Sequence, residues 1–489
     1  MEYLVIGLYC TSLLFIFMFS IGQLHLTWHY LKSKKATIEV IPEISTHDLP
    51  QVTIQLPIYN EKYVVKRLIE SVAAFDYPLD KLEIQVLDDS NDETIQIIAE
   101  EVSKYSALGF DIKHIQRPER VGFKAGALEY GMNVAKGEFI AIFDADFTPD
   151  RQFLSKTIPH FENQKIGMVQ TRWGHLNKDY SILTKLQAFG LDAHFSIEQC
   201  GRSHAHSFIN FNGTAGVWRK NTIIEAGGWS ADTLTEDLDL SYRAQLKGWD
   251  FKYLEDVISP AELPVIMPAI KSQQYRWNKG AAETAKKNLG NVLKSDIPLS
   301  SKIHAIFHLF NSSVFVSLLI ASLLSIPMLY IKDANPNLSW LFDLGSVFLI
   351  GFFSIAFFYW IATKNIVLEG KKKYYFSIFP AFLTVSMGLS LHNAFAVIEG
   401  LLGFKSDFIR TPKFNITKKN DSWEGNSYIK PQLSVMSVAE MLLGLYFLFG
   451  IASGIYLHDW GLMIFHVMLT LGFFSVFYYS VKPISHAKK

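Results

Sequence analysis

Long apolar runs lie towards both ends of the chain, and a more polar block separates them. A helix needs about 20 consecutive apolar residues to cross the hydrocarbon core of a bilayer. Five runs approach or exceed that length, at residues 3–26, 303–331, 341–362, 435–455 and 462–479. The pattern therefore predicts membrane-spanning helices on both sides of a soluble domain.

The positions of the lysines predict how these helices are oriented, because cytosolic flanks are enriched in Lys and Arg. Lys32, Lys34 and Lys35 follow the first run, whereas the segment between the second and third runs contains a single lysine. The first run lacks a basic leading region and a small-residue cleavage site, so a cleaved signal peptide is the weaker interpretation. These flanks predict an external N-terminus, a cytosolic soluble domain and a cytosolic C-terminus.

Residues 376–402 form a further apolar segment, and both of its flanks are basic. If both flanks are cytosolic, the segment cannot cross the membrane once, and it is too short to cross twice. We predict a re-entrant or interfacial segment, which leaves five crossings. A single crossing would instead give six and would invert the orientation of the C-terminus.

The block from residue 50 to about residue 285 alternates between two hydrophobic patterns. Residues 82–90 have the composition of a strand that ends in two acids, and residues 92–105 have apolar positions at helical spacing. The same alternation recurs along the block, which contains no membrane-spanning run. It is typical of an α/β domain with a mostly parallel sheet.

Composition narrows the class of protein. The chain has 489 residues with 46 basic and 46 acidic side chains, which gives a formal net charge of zero. This balance gives no indication of nucleic acid as a partner. The sequence contains two cysteines, Cys10 and Cys200, so neither a disulfide framework nor a cysteine zinc site is available.

Pairs of carboxylates follow two of the predicted strands. The apolar run "FIAIF" leads into Asp144 and Asp146, and the run "LEIQVL" leads into Asp88 and Asp89. Ligands of open α/β sheets bind beyond the carboxyl ends of the strands, so the two acidic ends are expected to share one edge. Lys124, at the start of the intervening helix, adds a cation. An acidic turn explains either pair alone, but together they favour a site for a nucleotide diphosphate and Mg²⁺ or Mn²⁺.

The segment "LTEDLDL" predicts the start of a helix, with Thr235 near the N-cap and Glu236 and Asp237 in the first turn. Acids are common at this position because the helix dipole stabilises them, so the segment alone does not identify a site. The functional alternative is that Asp237 acts as a general base at the rim of a cleft.

The segment "KSQQYRWNKG" places Arg276 beside Trp277, shortly before the C-terminal apolar runs. The guanidinium could pair with a departing phosphate and the indole could stack on a sugar ring. An interfacial helix anchored by Trp and Arg explains the same residues equally well. The glycines of "FNGTAGVWRK" allow close backbone approach, although a plain turn before a strand is the simpler interpretation of that segment.

The order of these motifs resembles that of the processive family 2 glycosyltransferases, which include cellulose, chitin and hyaluronan synthases. The series is Asp88-Asp89, Asp144-x-Asp146, Thr235-Glu236-Asp237 and Gln273-x-x-Arg276-Trp277. The amino-acid sequence of the motifs resembles still more closely the plant cellulose-synthase-like A and C groups, which make mannan, glucomannan and xyloglucan backbones. Segments that carry this likeness are "QVLDDSNDET", "RVGFKAGAL", "IFDADFTPD", "FNGTAGVWRK", "EAGGW" and "QQYRW".

The resemblance implies a GT-A fold, inverting hexosyl transfer from a nucleotide-diphosphate sugar, and a Mg²⁺ or Mn²⁺ cofactor. It assigns Asp237 as the base that deprotonates the acceptor hydroxyl. Residues implied to bind the donor are Asp88, Asp89, Lys124, Asp144, Asp146 and Arg276, with Asp144 and Asp146 also holding the metal. Residues implied to bind the acceptor are Phe211, Asn212, Gly213, Thr214, Glu236, Gln273 and Trp277.

The segment "FIRTPK" resembles the F-x-V-T-x-K gating loop of cellulose synthase and departs from it at Arg410, where that family has valine. The resemblance implies that Phe408, Thr411 and Lys413 reach the nucleotide from the cytosol. A cytosolic position for this loop agrees with the orientation predicted from charge, and with a re-entrant segment at residues 376–402.

These patterns divide the chain into segments. They are a membrane anchor at 1–31, a GT-A domain at 50–285, an interfacial helix at 286–302, two membrane helices at 303–363, the re-entrant or interfacial segment at 376–402, a gating-like loop at 403–433 and two membrane helices at 434–481. The predicted function is elongation of a β-linked polysaccharide that passes through the membrane helices. One alternative is addition of a single sugar to a lipid acceptor. Another is an inactive membrane transport protein, which would be expected to lose the metal or base carboxylates.

Overall fold

The computed structural model describes residues 2–35, 49–338, 345–406, 409–428 and 433–487. Seven strands form one sheet within these residues. They are β1 (Val52–Ile58), β2 (Leu82–Asp88), β3 (Asp111–Gln116), β4 (Phe139–Ile142), β5 (Ile166–His175), β6 (Gly216–Arg219) and β7 (Asp250–Ala261). Their order is β3-β2-β1-β4-β6-β5-β7. Strand β6 is antiparallel to both neighbours and the other pairings are parallel, which confirms the predicted α/β domain.

One helix precedes the sheet, and the following helices lie between its strands or directly after β7. They are α1 (Glu2–Ser33), α2 (Val65–Ala73), α3 (Thr94–Ala107), α4 (Phe123–Met132), α5 (Phe153–Thr157), α6 (Ile182–Ala193), α7 (Gln199–His204), α8 (Lys220–Glu225), α9 (Glu236–Leu246) and α10 (Met267–Lys294). Phe139 and Ala141 of β4 belong to the apolar core on one face, and Ile140 and Ile142 to the core on the other. Burial on both faces explains why this strand is a continuous apolar run.

Seven further α-helices follow α10 among the described residues. The helices are α11 (Leu299–Leu309), α12 (Val314–Ala334), α13 (Phe348–Ile366), α14 (Lys371–Gly388), α15 (Ser390–Leu402), α16 (Val435–Tyr456) and α17 (Met463–Ala487). Among the described residues, five helices are long and apolar enough to cross a membrane: α1, α12, α13, α16 and α17. The count becomes six if α14 and α15, which are bent by 51° relative to each other, form one span. These helices are consistent with a membrane protein.

Two predicted boundaries in the C-terminal half are wrong. The apolar run 303–331 is not one helix, because α11 ends at Leu309 and α12 begins at Val314. Residues 286–302 do not form a separate interfacial helix, since they contain the end of α10, a break and the start of α11. Ala305 and Leu309 of α11 pack beneath α9 and α10. Burial against the soluble domain therefore explains part of the hydrophobicity that indicated a membrane span.

The bent pair contains the segment predicted to be re-entrant or interfacial. Asn393 Nδ2 donates to Gln274 Oε1 at 2.8 Å, and His392 Nε2 lies 2.9 Å from the Lys271 carbonyl oxygen. A Cβ added to Gly400 would lie 2.6 Å from the Lys279 carbonyl oxygen. Helix α15 is therefore packed tightly on α10, the helix that carries Arg276 and Trp277. Whether the pair crosses the bilayer stays a prediction.

Candidate active site

A cleft of about 160 Å³ lies beyond the carboxyl ends of β1, β2 and β4. Strand β1 lies between β2 and β4, so the residues that follow those two strands come to the same edge of the sheet. The start of α9, the middle of α10 and residues 410–413 close the cleft. Predicted site residues that line it are Asp89, Lys124, Asp144, Asp146, Asn212, Gly213, Glu236, Asp237, Gln273, Arg276, Trp277, Thr411 and Lys413.

The two carboxylates after β4 are each held by a lysine. Lys124 Nζ donates to Asp144 Oδ1 at 2.6 Å and to the Gly213 carbonyl oxygen at 2.8 Å. Lys413 Nζ lies 2.8 Å from Asp146 Oδ2. The other oxygen of this buried carboxylate, Asp146 Oδ1, has no hydrogen-bond partner. This oxygen lacks the hydrogen bond that buried polar atoms normally have, and a bound cation would satisfy it.

This pair of carboxylates fits a divalent cation that is shared with a substrate. Within the described residues no group of three or more His, Cys, Asp or Glu side chains is placed to hold a metal alone. Mg²⁺ is commonly bound through one or two carboxylates together with phosphate oxygens of the substrate and water. Asp144 and the unpartnered oxygen of Asp146 meet that description. A metal here would depend on a bound diphosphate for its remaining ligands.

Asp237 lies half-buried in the first turn of α9, next to the buried Glu236. Burial, and next the Glu236 carboxylate, raise the pKa of Asp237 to about 7, while Lys124 opposes the shift. One carboxylate oxygen accepts the backbone N–H of Leu238 at 2.8 Å. A carboxylate whose pKa lies near neutral pH can accept and release a proton under physiological conditions. The geometry is that of a candidate general base.

The backbone at Gly213 touches this carboxylate. Gly213 has φ = +78°, and a Cβ at this position would lie 3.0 Å from Asp237 Oδ2 and 3.4 Å from Lys124 Nζ. The left-handed conformation and the close approach both explain a glycine here. The segment that contains Asn212 and Gly213 is thereby held against the candidate base.

Helix α10 contributes a cation and an indole to the cleft. Arg276 Nη2 donates to the Thr411 hydroxyl at 3.2 Å. The Trp277 ring lies 6.5 Å from the ring of Trp173, centroid to centroid, and both rings line the cleft. Aromatic faces of this kind are large apolar surfaces with a polar edge, a suitable platform for a sugar ring.

Arg410, Thr411 and Lys413 of the gating-like loop line the cleft. Arg410 Nη1 lies 2.8 Å from Glu61 Oε1, which adds to the contact of Lys413 with Asp146. Glu262 fixes the next part of the loop by accepting the backbone N–H groups of Phe414 and Asn415, both at 2.9 Å. Burial raises the pKa of Glu61 to about 7 against the effect of Arg410. The loop therefore places two cations among the acids of the cleft.

Comparison with known proteins places the chain in a family. Residues 50–280 match the family described as glycosyltransferase like family 2. The chain is 37% identical over 413 residues to a probable glucomannan 4-beta-mannosyltransferase 4 of Oryza sativa subsp. japonica, which covers 79% of this chain and 72% of that protein. It belongs to the family 2 glycosyltransferases. The predicted resemblance and the predicted enzyme class are confirmed. The prediction of a polysaccharide-synthesising transferase is confirmed for the family.

Other relatives are more similar over a shorter region. The glycosyltransferase is 44% identical over 267 residues to glucomannan 4-beta-mannosyltransferase 1 of Cyamopsis tetragonoloba, which covers 53% of this chain and 51% of that protein. The matched region thus spans about half the length of that relative. The fold of the present glycosyltransferase is similar to that of the mannosyltransferase PcManGT of Pyrobaculum calidifontis, which was solved with GDP-Man and Mn²⁺. The TM-score is 0.55 at 17% identity. That match covers 83% of this chain and 99% of that one and supports the GT-A fold.

Three predicted site residues of the glycosyltransferase do not line the cleft. Asp88 faces away from the cleft because successive residues of a strand point to opposite faces. One of its carboxylate oxygens lies 2.8 Å from His114 Nε2 of β3. Phe211 is fully buried in the core against Trp218. The Thr214 hydroxyl accepts the backbone N–H of Asp144 at 2.9 Å, so it positions a cleft residue from behind. Phe408 lies outside the described residues.

The cleft of the glycosyltransferase also contains residues that the sequence analysis missed. Arg120 lies over the Tyr59 ring, 3.4 Å from its centroid, and both line the cleft next to Asp89. Arg117 holds the Asp89 carboxylate through two hydrogen bonds of 2.9 and 2.5 Å. Arg117 and Arg120 both belong to the segment "RPERVG". Two arginines directly after β3, the strand that pairs in parallel with the one that precedes Asp89, were the available signal.

Proposed function

We propose that this glycosyltransferase transfers a mannosyl unit from GDP-mannose to the end of a growing β-1,4-linked mannan or glucomannan chain. The observation that carries the proposal is the position of Asp237, a half-buried carboxylate whose pKa is raised to about 7, in the same cleft as Asp144, Asp146 and Arg276. The sugar and linkage follow the names of the relatives that are 37–44% identical.

The chain's own residues supply the steps of an inverting displacement. Asp237 accepts the proton of the acceptor hydroxyl, which attacks the anomeric carbon as the bond to the nucleoside diphosphate breaks. Arg276 and Lys124 stabilise the charge that develops on the departing diphosphate. Asp144 and Asp146 would hold Mg²⁺ or Mn²⁺, which supplies additional stabilisation of that charge. Trp277 and Asn212 orient the terminal sugar of the acceptor.

The contacts between α10 and the helical half support elongation with translocation. Helix α10, which carries Trp277, packs on α15 through Gln274 and Asn393. Lys271 of the same helix donates to the buried Glu440 of α16 at 2.6 Å. A polysaccharide whose terminal sugar lies on Trp277 would therefore extend from the cleft next to α15 and α16. We infer that the catalytic domain lies on the cytosolic side and that the product passes among the membrane helices.

Single addition of a sugar to a lipid acceptor is the second candidate function. The gating-like loop favours polymerisation. A segment that opens and closes with each addition must reach the cleft, and Arg410 and Lys413 already contact acids there. Product length separates the two functions. Elongation gives a ladder or a long product on a gel, whereas single addition gives one lipid-soluble product.

The decisive experiment incubates the purified full-length protein with radiolabelled GDP-mannose, UDP-glucose or GDP-glucose and with Mn²⁺ or Mg²⁺. We expect incorporation from GDP-mannose, none without metal, and release of the label by a β-mannanase. Asp237→Asn should abolish transfer while sparing donor binding, and Asp146→Ala should weaken donor binding only when metal is present. Absence of transfer from every donor would instead favour an inactive transport protein.

A further inference from the structure

Helix α6 continues into an irregular turn next to the acceptor side of the cleft. Residues His194–Glu198 form a π-helical turn, in which the N–H of Gln199 donates to the carbonyl oxygen of His194, five residues earlier. Such turns inside α-helices are rare and occur frequently at functional sites. The turn brings the His194 ring and the Glu198 carboxylate together, with 2.8 Å between Nδ1 and Oε2.

The Glu198 carboxylate is buried and fully partnered. Oε1 accepts from Gln23 of α1 at 2.8 Å, and Oε2 accepts from Arg202 at 3.2 Å in addition to its contact with His194. Burial would raise the pKa of Glu198, but Arg202 and His194 outweigh it and hold the pKa below its usual range. The carboxylate is therefore an anion that fixes one nitrogen of the His194 ring as a donor.

The other nitrogen of this ring faces the cleft segment. His194 Nε2 lies 3.3 Å from Asn212 Oδ1. Asn210 contacts the same amide, because its Nδ2 donates to Asn212 Oδ1 at 2.9 Å and its carbonyl oxygen accepts from Asn212 Nδ2 at 3.3 Å. The two nitrogens of His194 thus join the buried Glu198 carboxylate to the side-chain oxygen of Asn212.

We propose that His194, held by Glu198, is a positioning residue that fixes Asn212 for hydrogen bonding to the terminal sugar of the acceptor. Asn212 lines the cleft next to Gly213, which touches the candidate base Asp237. A shift of the Asn212 amide would displace the acceptor relative to that base. The inference rests on the proposed function. It states that the Glu198–His194 pair affects the affinity for the acceptor and does not affect the affinity for the donor.

The test measures KM for the acceptor and for the donor separately, with a β-1,4-linked mannan oligosaccharide and GDP-mannose. His194→Phe keeps a flat ring of similar size and removes both ring nitrogens. We expect it to raise the acceptor KM about tenfold, equivalent to about 1.4 kcal/mol, with the donor KM unchanged within about twofold. His194→Gln, which can still donate to Asn212, should recover part of the loss. His204→Phe, on the adjacent helix α7, is the matched control and should change neither constant.

Glu198→Gln provides a second variant that keeps the shape of the buried side chain, and it should raise the acceptor KM in the same direction. A purely structural role predicts a lower thermal midpoint with both KM values unchanged, and that result would overturn the inference. A parallel rise in the donor KM would also overturn it. If wild-type protein transfers from no donor, the proposed function fails and this inference fails with it. If wild-type protein transfers and His194→Phe leaves the acceptor KM unchanged, the inference alone fails.

Discussion

The contact between Gly213 and Asp237 gives the most direct test of the candidate base. Gly213→Ala introduces two separate costs. The residue has φ = +78°, and a non-glycine residue in the left-handed region costs about 1–2 kcal/mol. The new Cβ would also lie 3.0 Å from Asp237 Oδ2, so the carboxylate must move by a few tenths of an ångström. A misplacement of about 1 Å at a reacting group can cost 100-fold in rate, so we expect kcat to fall about tenfold.

Gly109→Ala separates the two costs. Gly109 also lies in the left-handed region, with φ = +90°, but a Cβ there would have nothing within 4 Å. Both variants should lose similar stability, with thermal midpoints lowered by about 2–8 °C for a domain of this size. Steady-state transfer of radiolabelled mannose should fall only in Gly213→Ala. Equal activities in the two variants would refute the assignment of Asp237 as the base beside this backbone.

Three further predictions concern the charges and the core around the cleft. Glu236→Gln removes a negative charge that raises the pKa of Asp237, so the rising limb of the pH–rate profile, expected near pH 7, should move to lower pH. Lys413→Met removes the cation that contacts Asp146, so the Mn²⁺ concentration needed for half-maximal activity should fall severalfold. Phe211→Ala empties a fully buried site and should destabilise the protein by about 3–5 kcal/mol, measured by thermal unfolding.

Each of these predictions has a matched control. Glu225→Gln alters an exposed carboxyl outside the cleft and should leave the shape of the pH profile unchanged. Lys418→Met lies further along the same loop and is exposed, so the metal requirement should stay constant. Leu108→Ala removes a side chain that is 61% exposed and should cost little stability. A rise in the metal requirement of Lys413→Met would show that this lysine assists the donor and does not compete with the cation.

The soluble fold was predictable because its signals are local. Continuous apolar runs and runs with helical spacing gave the strands and helices from β1 to β4, and parallel strands align their carboxyl ends. Asp144 and Asp89 could therefore be placed at one edge before any contact was known. Hydropathy was less reliable in the helical half, because the same apolar side chains are buried by lipid or by the soluble domain. The division of residues 303–331 between α11 and α12 follows from that ambiguity.

The amino-acid sequence determined which chemical groups reach the edge of the sheet, since that depends on the order of strands and the residues that follow them. The tertiary structure decided which way those groups point and what faces them. Asp88 turns away from the cleft because successive residues of a strand point to opposite faces, and Phe211 is buried in the core against Trp218. The contacts of Lys413 with Asp146 and of His194 with Asn212 join segments that are not adjacent in the sequence. No local pattern encodes such pairs, because their partners meet only when the whole chain is packed.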